Sequence, residues 1–118
     1  MKHSLSRLLA LVVTLSISMG SAAMFTGNHL QAYCLDQNRA VMFGQCLGFL
    51  RGVQQGHAFF RSFNDQNKFY CLPDNVTISQ LLQISVTYLE ENPEQLHLEA
   101  GALVYGALAK AFPCEDGQ

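Results

Sequence analysis

The chain has 118 residues, of which 49% are hydrophobic and 14% are charged, and its formal net charge at pH 7 is −2. So much apolar and so little charged sequence argues against a disordered chain. The charge balance is not basic, so a nucleic-acid partner is not expected.

The amino-terminal segment has the layout of a cleavable secretory signal. Lys2 and Arg7 precede an uncharged apolar run of twelve residues, which ends in a stretch of small residues. A membrane-spanning helix needs about 20 apolar residues, so a retained anchor is the weaker interpretation. We predict a signal peptide over residues 1–23 and one exported domain over residues 24–118, with a net charge of ~−4. No membrane partner is expected after cleavage, because this domain has no long apolar span or basic amphipathic stripe.

Apolar residues recur at helical spacing along the exported domain and predict four helices. The first is short, over residues 28–35, and the second covers about residues 39–60. Thr77 and Asn92 each stand three residues before a glutamine, which is the capping-box pattern, and we expect them to begin the third and fourth helices. The predicted fold class is all-α, a compact four-helix domain stapled by two disulfides.

The only long irregular stretch that the pattern predicts lies between the second and third helices. A connection of this length in a small domain is often functional. The alternative is a packed crossover in which Phe63, Phe69 and Leu72 cover the core.

The four cysteines are expected to form two disulfides, because an even number in a small exported domain is typical of such bonds. A zinc site is the competing interpretation, but the gaps between the cysteines lack the close pairs that zinc sites use. A tight turn between the third and fourth helices makes them antiparallel, which brings Cys71 beside Cys114. This pairing leaves Cys34 to bond with Cys46.

Four glycines recur at every fourth residue of the second helix and form a stripe on one face. They are Gly44, Gly48, Gly52 and Gly56. Each costs about 1 kcal/mol relative to alanine in a helix interior, so some interaction must offset the loss. Small residues allow close approach, and we expect either another helix of the same chain or a second copy, in a homodimer, to cover the stripe.

The sequence shows no recognisable catalytic machinery. A cysteine nucleophile needs a free thiolate, which two disulfides would remove. His29, His57 and His97 belong to no metalloprotease or nucleophile-elbow motif and are expected to be hydrogen-bonded structural residues. We expect no catalytic residue, metal or cofactor.

Short motifs occur along nearly the whole exported domain. They are Asn28-x-Leu30 followed by Cys34, Cys46-Leu47-Gly48-Phe49-Leu50-x-Gly52-Val53, Phe69-Tyr70-Cys71-Leu72-Pro73, Asn92-Pro93-Glu94 and Ala111-Phe112-Pro113-Cys114. Together they resemble the Rap/Tai family of type VI secretion amidase immunity proteins.

This resemblance implies a periplasmic, helical and often dimeric protein that binds a peptidoglycan-cleaving cysteine amidase effector. Such a protein occludes the active-site cleft of the amidase and protects the cell from its own or a sibling's toxin. The resemblance also implies a protruding loop that plugs the cleft. The residues that we expect to contact the effector are Arg61, Asn64, Asp65, Gln66 and Lys68. A periplasmic acid-stress chaperone is the alternative, because small disulfide-linked helical dimers that open at low pH have a similar composition.

Overall fold

Four α-helices and one short 3₁₀ helix make up the described part of the computed structural model, which covers residues 24–63 and 68–115. They are α1 (Gly27–Leu35), α2 (Ala40–Phe63), α3 (Ile78–Glu91), the 3₁₀ helix (Pro93–Gln95) and α4 (Ala100–Ala111). The predicted all-α class is therefore confirmed. The predicted signal lies outside the described residues. Within these residues, no helix has the length and apolar character needed to cross a membrane.

Local side-chain caps explain where α1 and α3 begin. At the start of α1, the backbone N–H of Thr26 donates to Nδ1 of His29 at 3.1 Å. At the start of α3, the N–H of Gln80 donates to the hydroxyl of Thr77 at 3.2 Å, and the N–H of Thr77 donates to the side-chain oxygen of Gln80 at 2.8 Å. These reciprocal bonds satisfy donors that the helix itself leaves unpaired. The predicted start at Thr77 is confirmed.

The predicted start of the fourth helix at Asn92 is wrong. Pro93–Gln95 forms one 3₁₀ turn, and α4 begins only at Ala100, where the carboxylate of Glu99 accepts a hydrogen bond from a backbone N–H of the first turn at 2.8 Å. Asn92 instead closes α3, because its side-chain amide donates to a carbonyl of the last turn at 2.7 Å. Four residues thus separate the 3₁₀ helix from α4.

The amino-terminal end of the domain holds this interruption in place. The N–H of Gly27 donates to the carbonyl of Leu98 at 3.0 Å, and the N–H of Ala100 donates to the carbonyl of Phe25 at 2.9 Å. A Cβ on Gly27 would lie 3.1 Å from the backbone of Leu96, so glycine permits this close approach. These long-range bonds prevent a helix that runs unbroken from Pro93.

The core lies where the inner face of α2 meets α1, α3 and α4. The buried cluster comprises Leu30, Cys34, Cys46, Leu50, Tyr70, Leu81, Leu89, Ala100, Leu103, Val104 and Leu108. Burial of such side chains is the main favourable term in folding.

Both predicted disulfides are present. Cys34–Cys46 joins α1 to α2 inside the core, with a Cα–Cα distance of 5.2 Å. Cys71–Cys114 is partly buried and joins the segment before α3 to the end of the domain, with a Cα–Cα distance of 5.0 Å. All four sulfurs are paired, which excludes the zinc interpretation.

Candidate partner-binding surfaces

The last two turns of α2 carry a cluster of exposed phenylalanines. Phe59, Phe60 and Phe63, which we call the aromatic surface, are between 60% and 74% exposed. The ring of Phe59 contacts those of Phe60 and Phe63 at centroid distances of 6.0 and 4.8 Å. Clustered apolar side chains of this kind mark interaction surfaces.

The alternative prediction, in which Phe63, Phe69 and Leu72 cover the core, is wrong for the two phenylalanines. Phe63 and Phe69 are both mostly exposed, and only Leu72 packs against the core. Phe59 and Phe60 were not singled out from the sequence. The position of Phe59 could have been predicted, because a helix advances 100° per residue and Phe59 then lies on the side opposite the core positions Cys46 and Leu50.

Two of the five predicted effector contacts are described, and both flank the segment over residues 64–67. Arg61 lies in the last turn of α2 and Lys68 follows the segment, and both are partly buried. Asn64, Asp65 and Gln66 lie outside the described residues. The structure therefore places Arg61 in the last turn of α2, which also carries the aromatic surface, and Lys68 at the start of the next described stretch.

His57 lies on the inner face of α2, stacked among aromatic rings. Its ring is 3.9 Å from that of Tyr70 and 5.9 Å from that of Tyr105, measured between centroids. Burial, with a smaller effect of the nearby Arg61 cation, lowers the pKa of His57, and burial raises the pKa of Tyr70. Both side chains are thus neutral at pH 7. Both line a cavity of about 280 Å³ beside Arg61.

The histidines at positions 29, 57 and 97 differ from one another, and only one of these three fits the expected role. His29 is a hydrogen-bonded helix cap, as predicted. His57 is held by ring stacking, and its Nε2 atom has no hydrogen-bond partner among the described residues. His97 is exposed in the turn before α4. None of them can activate a cysteine, because every thiol is in a disulfide.

The face of α2 opposite the core is open. Apart from the adjacent residues and the nearby backbone of α2 itself, no described atom lies within 4 Å of the position that a Cβ would take at Gly44, Gly48, Gly52 or Gly56. Within the described part of the chain, the prediction that another helix of the same molecule covers the stripe is therefore wrong. The homodimer alternative stays a prediction.

Two large apolar residues stand at the two ends of this open face. Val41 and Phe59 are 77% and 61% exposed. They stand eighteen residues apart in the sequence, which is five full turns, so both lie in line with the glycines. We call the set Val41, Gly44, Gly48, Gly52, Gly56 and Phe59 the glycine face.

Comparison with known families gives a match over most of the chain. Residues 26–114 match the family model described as Rap1a immunity proteins. The matched range runs from the cap of α1 to the last cysteine and includes every described helix and both disulfides. No curated protein matches the chain.

Proposed function

Because the chain belongs to the Rap1a immunity protein family, we propose that it is a non-catalytic immunity protein of the periplasm. It binds a type VI secreted peptidoglycan amidase, occludes the active-site cleft of that enzyme and protects the cell from its own or a sibling's toxin. The family match over residues 26–114 is the observation that carries this proposal. Two formed disulfides support an oxidising compartment such as the periplasm.

The effector contact lies at the end of α2 and in the segment that follows. Aromatic side chains are enriched in protein interfaces, and this end of the helix exposes Phe60 and Phe63, with the partly buried Arg61 between them in the sequence. The predicted contacts Asn64, Asp65 and Gln66 come directly after Phe63 in the sequence. These predicted contacts therefore follow directly in the sequence from the last residue of α2.

Occlusion requires no chemical step on this protein. A cysteine amidase acts only when a peptidoglycan strand reaches its nucleophile. A plug in the cleft excludes both that strand and the water that completes hydrolysis. The protein itself therefore needs no cofactor and no catalytic residue.

The protein also acts as a homodimer. The glycine face supports this part of the proposal, because α2 exposes bare backbone and two large apolar side chains on a face that no described residue covers. The loss of helix propensity at four glycines then has a physical reason, since glycine lets a second helix approach closely.

The test uses the mature protein and the amidase that is encoded beside it. We expect a stable complex in size-exclusion chromatography and stoichiometric inhibition of peptidoglycan cleavage. No complex with that amidase would overturn the proposal. Prevention of client aggregation at pH 3 but not at pH 7, seen by light scattering without amidase binding, would favour the acid-stress chaperone.

A matched pair of variants locates the contact. Phe63→Ser removes an exposed ring of the aromatic surface, and we expect it to weaken amidase binding at least about tenfold, as is typical for aromatic interface anchors. Leu35→Ser changes an exposed leucine at the end of α1 and should leave the affinity unchanged. Equal effects of the two substitutions in calorimetric titration would place the contact elsewhere.

A further inference from the structure

A small cavity lies between α2 and the segment that leads to α3. Its volume is about 280 Å³, and its walls include His57 and Arg61 from α2 and Tyr70 and residues 72–76 from the segment. Pockets that hold whole ligands range from about 300 to 1,000 Å³. This cavity therefore has room for one small chemical group and not for a large ligand.

Two buried polar atoms at this cavity lack the hydrogen bonds that such atoms normally make. His57 and Tyr70 are 4% and 0% exposed, and both line the cavity. Neither Nε2 of His57 nor the hydroxyl of Tyr70 has a hydrogen-bond partner among the described residues. An unpaired buried polar group destabilises the fold, so a group that enters the cavity and pairs with both atoms would be stabilised there.

We propose that this cavity is a binding site for a carboxylate group, whose oxygens accept hydrogen bonds from Tyr70 and His57 beside the positive charge of Arg61. A tyrosine hydroxyl donates one hydrogen bond, and a neutral imidazole donates from Nε2 in one of its two tautomers. Hydrogen bonds to an ionised acceptor are about twice as strong as those between neutral groups. The carboxylate belongs either to a free small molecule or to an acidic side chain of a partner protein.

The charges around the cavity favour an anion. Burial is the main cause of the lowered pKa of His57, and the second cause is the Arg61 cation, whose positive charge therefore acts at this ring. The opposing charge is Asp74, which lines the cavity but is exposed, so the high dielectric constant of water weakens its effect. A neutral amide could pair with the same donors, but it would gain no attraction from Arg61.

The walls of the cavity are held in place by the fold itself. Tyr70 directly precedes Cys71, which is bonded to Cys114 and whose N–H donates to the carbonyl of Phe112 at 2.9 Å. The ring of Tyr70 stacks on that of His57 at a centroid distance of 3.9 Å. A site whose side chains are already positioned loses little entropy when its ligand binds.

Water is the competing occupant, and a pair of small molecules distinguishes it from a carboxylate. We expect sodium acetate to shift the ring signals of His57 saturably in NMR spectra of the full mature protein. The dissociation constant should be on the order of millimolar, because so small a ligand makes few contacts. Acetamide has the same shape without the charge and should bind at least about fivefold more weakly.

The same titration can overturn the inference. Sodium chloride at equal concentration controls for ionic strength. An absence of saturation at tens of millimolar acetate would mean that only water fills the cavity. Equal binding of acetamide and acetate would contradict the assignment of a carboxylate. The titration contains no amidase, so either failure leaves the immunity proposal intact.

A tyrosine variant tests the proposed donor. Tyr70→Phe keeps the ring that stacks on His57 and removes only the hydroxyl, so we expect acetate binding to weaken at least about fivefold. Its free energy of unfolding should change little, because no described residue pairs with this hydroxyl. The control Tyr33→Phe makes the same change at a partly buried tyrosine that does not line the cavity and should leave acetate binding unchanged.

His57→Phe removes the other donor and should weaken acetate binding as Tyr70→Phe does. Wild-type acetate affinity in both variants would overturn the inference. Calorimetric titration with the amidase then identifies the source of the carboxylate. A side chain of the amidase would make Tyr70→Phe weaken the complex and acetate compete with it, whereas a free small carboxylate would leave amidase affinity unchanged in both experiments.

Discussion

The two faces of α2 differ in whether the rest of the chain covers them. The inner face buries Cys46, Leu50 and His57 against the other helices, whereas the outer face leaves its glycines bare and Phe59 exposed. The backbone hydrogen bonds of α2 form regardless of which side chains its outer face carries. The fold of the single chain therefore requires apolar side chains only on the inner face. Residues on the outer face therefore reflect what the protein meets outside its own chain.

The largest expected effect is on the inner face. Leu50 is 1% exposed, and Leu50→Ala should lower the free energy of unfolding by about 3 kcal/mol, through lost burial and the cavity left behind. Gln55→Ala on the outer side of the same helix should change it by less than about 0.5 kcal/mol. Urea unfolding measures the free-energy change for each variant, and similar changes for the two would contradict the proposed difference between the faces.

The next prediction concerns substitution of alanine for glycine at two positions, where we expect changes of opposite sign in the free energy of unfolding. Gly27→Ala places a Cβ 3.1 Å from the backbone of Leu96 and should destabilise the fold by about 1 to 3 kcal/mol. Gly44→Ala meets open space and should stabilise the monomer by up to about 1 kcal/mol through helix propensity. Thermal melts at concentrations that keep the protein monomeric compare them. A loss of stability at Gly44 would mean that its face is packed within the chain.

The buried histidine adds a pH dependence to the inner face. Burial lowers the pKa of His57 in the folded protein, so below about pH 6.5 the unfolded chain binds more protons than the folded one. Stability should therefore fall as the pH drops below that value. His57→Phe keeps the stacking on Tyr70 and removes the proton uptake, so its urea unfolding should lose less stability between pH 7 and pH 5. An unchanged loss would assign the effect to other groups.

The smallest expected effect is on the outer face. Arg51 is exposed on α2 beside Gly52, and Arg51→Gln should tighten pairing through the glycine face a few-fold at low salt, because it removes repulsion between like charges of the two copies. Salt should strengthen the wild-type dimer and affect the variant less. Sedimentation at low and high salt measures both, and a dimer that salt weakens would contradict pairing through the glycine face.

Predictions from the sequence succeeded where local chemistry decides the structure. The Thr77 cap depends on four consecutive residues and formed as expected. The same pattern at Asn92 failed, because backbone bonds from residues 25–28, far away in the sequence, hold the segment before α4. Capping residues favour a helix start by only about 1 kcal/mol, which long-range contacts readily override.

The candidate surfaces could be predicted only in part. The glycine stripe and its spacing are visible in the sequence, but whether another helix covers it depends on the directions in which α1, α3 and α4 pack. Phe63 illustrates the same limit. An aromatic residue next to a core helix is usually expected to be buried. Phe63 is instead exposed, and this could not be predicted because the predicted second helix ended at about residue 60, whereas α2 extends to Phe63.

Both ends of the described domain are fastened within a few residues. Phe25 is hydrogen-bonded to the start of α4, and Cys114 is covalently joined to Cys71. Proteases usually cleave first at loosely held termini, and both ends of the described domain are held in place. Fastened ends of this kind favour slow proteolysis and therefore a long lifetime of the folded domain.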